Sequence, residues 1–92
     1  MQKYQEKKTG FKSDPWVLYD HKDLYGKGDV GSLRIADYAD LDHIKAFVLD
    51  QGANVVTLAG TFAAIKKFER TPPLSEFNEC SGCQTWVYNP ML

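Results

Sequence analysis

Cysteine is scarce in this chain: Cys80 and Cys83 are the only two. Two cysteines cannot build the multi-bridge framework of many small secreted domains, so a cytoplasmic protein is expected. Long apolar runs are missing too. The most hydrophobic window, 55–65, is interrupted by Thr57, Gly60 and Thr61. It falls well short of the roughly 18 residues of a membrane-spanning helix. Residues 1–11 are polar and basic, without the apolar stretch of a signal peptide. Histidine is limited to His21 and His43, 22 residues apart and outside zinc-finger spacing. No local signature of nucleophilic catalysis surrounds any Ser, Cys or His. Gly26-Lys27-Gly28 lacks the spacing of a phosphate-binding loop. These absences together predict a non-enzymatic protein.

What is present is enough for one small domain. Of 92 residues, 43% are hydrophobic and 13% aromatic, and the rings supply much of the buriable area. A chain this short buries only about 60–65% of its unfolded surface, so its stability margin is narrow. The net charge of −1 conceals a division. In 1–14, Lys3, Lys7, Lys8 and Lys12 outnumber the acids and form a basic arm that ends at the turn Ser13-Asp14-Pro15. Residues 13–52 hold eight aspartates, Asp14, Asp20, Asp23, Asp29, Asp37, Asp40, Asp42 and Asp50. The remaining residues, from 53 onward, are balanced.

Shifting the chain by 39 residues against itself exposes an internal match. Val17 meets Val56 and Lys27 meets Lys66. The stretch Ile35-Ala36-Asp37-Tyr38-Ala39-Asp40 meets Leu74-Ser75-Glu76-Phe77-Asn78-Glu79, and Phe47-Val48-Leu49 meets Trp86-Val87-Tyr88. The domain, 15–92, therefore reads as two repeats of about 16–54 and 55–92. Strands are expected at Trp16-Val17-Leu18-Tyr19, Ser32-Leu33-Arg34-Ile35, Val55-Val56-Thr57-Leu58 and Trp86-Val87-Tyr88.

Tyr19-Asp20-His21-Lys22-Asp23-Leu24-Tyr25-Gly26 resembles the aromatic-to-glycine hairpin of βγ-crystallin domains. Asp37-Tyr38, then Asp42 to Leu49 and Gly52, is similar to the rest of one such motif. The resemblance implies an all-β fold, in which two Greek-key motifs form a two-sheet β-sandwich. In the second half Leu58 and Ile65 stand where the hairpin aromatic and glycine belong. The alternative is α+β, a four-stranded sheet with two short helices on one face. Asp40 would cap the first helix, Leu41, Ile44, Phe47 and Val48 would share its inner face, and Gly52 would end it. The second would span 61–70 and stop at Pro72-Pro73.

The same resemblance implies calcium, held by paired Asn/Asp residues and, two residues later, Ser/Thr-Ser. Those positions are Leu41-Asp42 and Lys45-Ala46 in the first half, Cys80-Ser81 and Gln84-Thr85 in the second. Asp42 and Thr85 alone fit, too few oxygens for the ion. Zinc at Cys80-Ser81-Gly82-Cys83 would need further ligands, for which His21 and His43 are the candidates. A turn carrying two half-buried thiols is the plainer account. No resident cofactor is expected. The arm, with Tyr4 and Phe11 among its lysines, has features that suit nucleic acid, but it lacks arginine and adjoins an acidic half.

The function that fits is a protein-binding module, such as a small inhibitor or adaptor that acts on a larger protein with a basic cleft. Its surface would use Asp20, Asp23, Asp29, Asp37 and Asp42 with Tyr25 and Tyr38, and with Trp16 as a further anchor if exposed. The alternatives are a structural subunit of a larger assembly and a metal-binding structural protein.

Overall fold

The computed structural model describes residues 15–91, and in it the branched and aromatic runs at 16–19, 32–34, 55–58 and 86–88 lie in strands. Strands β1 (Trp16–Asp23) and β2 (Asp29–Arg34) come first, followed by helix α1 (Leu41–Asp50). Then follow β3 (Val55–Ala59), β4 (Phe62–Lys66) and β5 (Asn78–Tyr88). The fold is mainly β. All strand pairs are antiparallel, and the order across the sheet is β1-β5-β3-β4-β2.

The described strands form one five-stranded sheet where two packed sheets were expected. The first two strands do not make a hairpin with each other: β1 pairs with β5 and β2 with β4, at opposite edges. The connection between them explains this. Leu24 is fully buried with Val55, Phe77 and Val87, so it carries the chain across the sheet face. Gly28 lies in that connection at φ +69, and a Cβ there would come within 2.9 Å of the Phe68 ring. Only glycine fits both the backbone and the space.

Helix α1 stands where the Greek-key reading placed a strand. Ile44 and Val48 lie on one face of either structure, so the pattern alone was ambiguous. The cap decides it: the Asp40 carboxylate accepts the His43 backbone N–H at 3.0 Å, and the helix ends before Gly52. The second helix of the α+β reading, 61–70, is instead strand β4. Gly60, at φ +64, and Thr61 make a two-residue turn joining Ala59 to Phe62, with glycine at the first central position as a type II′ hairpin requires. Two short 3-10 turns, Ile35–Asp37 and Leu74–Glu76, keep the 39-residue spacing. At the same spacing α1 faces part of β5.

Each sheet face has its own core. Ile44 and Val48 of α1 share one core with Trp16, Leu33, Val56 and Ile65 of the sheet. On the other face Leu24, Val55, Phe77 and Val87 pack with Tyr19 and Phe68. Consecutive residues Val55 and Val56 thus point into opposite cores, which is why β3 reads as a continuous apolar run. Fully burying each such aliphatic side chain contributes about 1.5–3 kcal/mol. Lys45, which stands where the calcium motif wants a hydroxyl, lays its ammonium 4.0 Å from the centre of the Trp86 ring. No helix among the described residues is long and apolar enough to cross a membrane.

Candidate functional site

The face opposite α1 is only partly covered. Where the 24–28 connection passes over β3 and β4 it leaves a cleft of about 400 Å³. Asp23 at the end of β1, Tyr25 in the connection, Asp29 and Ser32 on β2, Thr57 on β3 and Phe62 on β4 line it. Tyr25 is 80% exposed and Phe62 58% exposed, although both are large rings.

A buried lysine shapes this cleft. Lys66 is only 1% exposed. Its ammonium donates to Leu24 O at 2.8 Å, Lys27 O at 3.0 Å and Asp29 Oδ1 at 2.6 Å. Three donors meet three acceptors, so the charge is fully satisfied. The lysine thereby ties the connection and the start of β2 to the sheet and fixes where Tyr25 and Asp29 stand. Behind it, Asn54 Nδ2 donates to Phe68 O while Asn54 Oδ1 accepts from Phe68 N, which holds the segment after β4.

The cleft floor has a directed hydroxyl chain. Thr85 Oγ1 donates to Lys22 O at 2.8 Å, and it lies 2.8 Å from Thr57 Oγ1. Thr85 has one proton and gives it to the carbonyl, so Thr57 must donate to Thr85. Thr57 Oγ1 then keeps its acceptor capacity at a position that lines the cleft.

A second feature lies at the far side of β1. The β1–β5 ladder pairs Asp20 with Gln84 and, two residues later, Lys22 with Glu79. Four residues of β5, Cys80 to Cys83, therefore oppose His21 alone, which adopts φ +60. Cys80 and Cys83 are joined by a disulfide across this bulge. The Lys22 ammonium donates to the Glu79 carboxylate beside it, which holds the Glu79 carboxyl below its ordinary value.

The expected site residues separate into groups. Asp23, Tyr25 and Asp29 meet in the cleft. Asp37 and Tyr38 lie in a shallow recess on the other side of Phe62, which it shares with the cleft together with Ser32. Asp37 sits 3.6 Å from Arg34, and the Tyr38 ring packs at 5.5 Å on Phe47, so Tyr38 belongs partly to the core. Asp20 and His21 are at the bulge, with Cys83 nearby. Asp42 is in the first turn of α1. His43 Nδ1 lies 2.7 Å from Asp40, which raises the imidazole pKa and lowers that of the carboxylate. Trp16 is buried against Tyr88 and is a core residue, not an exposed anchor. Thr85 is buried, with its hydroxyl engaged by Thr57 and Lys22. The basic arm with Lys3, Lys7, Lys8 and Lys12 lies outside the described residues.

Phe62, Ser32, Thr57 and Lys66 were not singled out from the sequence. Lys66 gave one signal, a charge at an inward position of an apolar strand. Phe62 gave none, because its place in the same cleft as Tyr25 depends on a connection that crosses the sheet. No family model, curated protein or solved structure matches the chain, so these residues must be read from their own geometry.

Proposed function

We propose that this chain is a non-enzymatic protein-binding module that receives an extended, basic and apolar segment of a partner in the cleft. One observation carries the reading: two exposed rings, Tyr25 and Phe62, line the same cleft as the carboxylates of Asp23 and Asp29. Large exposed apolar side chains in a concave setting favour association, and aromatic anchors supply most of the energy at interfaces. Lys66 offsets one of the two carboxylates, and the remaining negative charge favours Lys or Arg on the partner and speeds encounter. Phe62 also reaches the recess of Asp37 and Tyr38, so the acidic and aromatic surface runs across β2.

Selection of displayed peptides on the immobilised protein tests this, with the Tyr25→Ala/Phe62→Ala double variant as counter-target. Enrichment of basic, aromatic-containing peptides that the folded double variant fails to retain supports the reading. Peptides that bind both proteins equally, or show no loss of affinity with added salt, refute it.

A further inference from the structure

We propose that Asp23, Cys80 and Cys83 form a zinc site in the reduced protein, which the Cys80–Cys83 disulfide closes. The inference goes beyond the binding cleft, with which the site shares Asp23, and rests on a separate observation. An Asp23 carboxylate oxygen and the two sulfurs all lie within 4.8 Å of one another. They come from two strands that the ladder holds in register: Asp23 pairs with Asn78, two positions before Cys80. The bulge brings both sulfurs together, and their Cα atoms are 5.4 Å apart.

The donor set suits zinc. Thiolate sulfur and carboxylate oxygen are both zinc ligands, and three protein ligands with one open position is the arrangement of a reactive or exchangeable site. Around a tetrahedral ion with bonds near 2.3 Å, two sulfurs stand about 3.8 Å apart. Once the disulfide is broken, side-chain rotation suffices to reach that separation. Cys83 is buried while Cys80 and Asp23 are half-buried, which leaves an approach for the ion. Two thiolates and a carboxylate leave one net negative charge on the complex.

Redox state governs the site. A dithiol reductant transfers two electrons and two protons to the disulfide. This yields the Cys80 and Cys83 thiols and the reductant's own disulfide. Zinc then displaces both thiol protons to solvent, while Asp23 binds as the carboxylate it already is. Cytoplasmic thiol buffers keep such pairs reduced, and the composition predicts that compartment. The bridge closes a loop of only four residues, the length at which its stabilising effect is smallest, so the reduced domain is expected to keep its fold.

The experiment compares the disulfide form with protein reduced by a phosphine, using native mass spectrometry and zinc competition against a chromophoric chelator. One zinc per reduced chain and none per disulfide-bonded chain is expected. Asp23→Asn should weaken binding at least tenfold, since even residues behind the ligands change affinity by about 10–100-fold. Cys83→Ser should abolish binding. If Cys83→Ser does not fold, thiol alkylation of the reduced wild type replaces it, and zinc should protect both cysteines. A reduced protein that takes up no zinc overturns the proposal. So does Asp23→Asn that binds as tightly as wild type, or a disulfide form that binds equally well.

Discussion

Replacing Lys66 with methionine isolates the polar work of one buried ammonium. The stem remains nearly the same volume, so packing changes little. What is lost is the bond to Leu24 O at 2.8 Å, to Lys27 O at 3.0 Å and to Asp29 at 2.6 Å. Asp29 is half exposed and regains water easily. Leu24 is fully buried, and its carbonyl keeps only the Lys27 backbone N–H, at 3.1 Å. Each of the two charged bonds to a carbonyl contributes about 1.5 kcal/mol. The expected loss is therefore about 3 kcal/mol. With a urea slope near 1.5 kcal/mol per molar, the midpoint should fall by about 2 M at unchanged slope. Urea titration followed by tryptophan fluorescence measures it. A Lys66→Met midpoint within about 0.5 M of wild type would refute the claim that this ammonium anchors the connection. Amide exchange at Lys67, whose N–H donates to Gly28 O, should accelerate in the variant.

Three further outcomes follow from the same contacts. Thr85→Val should cost about 1–3 kcal/mol because Lys22 O loses its donor, whereas Thr57→Val should cost about 1 or less; equal losses by denaturation would contradict the donor order. The Asp40–His43 pair should stabilise the helix most between the ordinary values of 3.8 and 6.5. The raised imidazole contributes fully below 6.5 and loses its effect as pH rises through its folded value; the lowered carboxylate contributes above 3.8 and loses its effect as pH falls. The midpoint difference between wild type and His43→Ala should thus shrink in alkaline buffer, and a constant difference would remove the pair from the account. Reducing the disulfide should lower stability by about 2 kcal/mol, from its four-residue loop; loss of cooperative unfolding on reduction would show that the bulge depends on the bridge.

The strand content was legible because Val55, Val56 and Val87 carry the branched runs that sheets select. The helix was legible only through Asp40, since Ile44 and Val48 satisfy both periods. The sheet order was hidden. Nothing local tells Leu24 to cross a sheet face, and that burial separates β1 from β2. The site shows the same division. Tyr25, Asp23 and Asp29 are near in sequence and could be grouped by eye. Phe62 and Lys66 join them only through the β2–β4 pairing, which no short window contains. Trp16 illustrates the opposite error: a ring near the start of the first strand looks available until Tyr88 and the helix cover it.

The pairing of β1 with β5 also orders events in time. Trp16 sits opposite Tyr88, so the first of the described strands is completed by the last of them. The β3–β4 hairpin closes over two residues, whereas the edge holding β1 waits until nearly the whole domain exists. During synthesis β1 must pass through a period with its aromatic residues uncovered, the interval in which small β domains are open to misassociation. The same closure brings residues 16 and 88 side by side, so a short linker there would permit circular permutation with new ends at an exposed turn such as Gly60-Thr61.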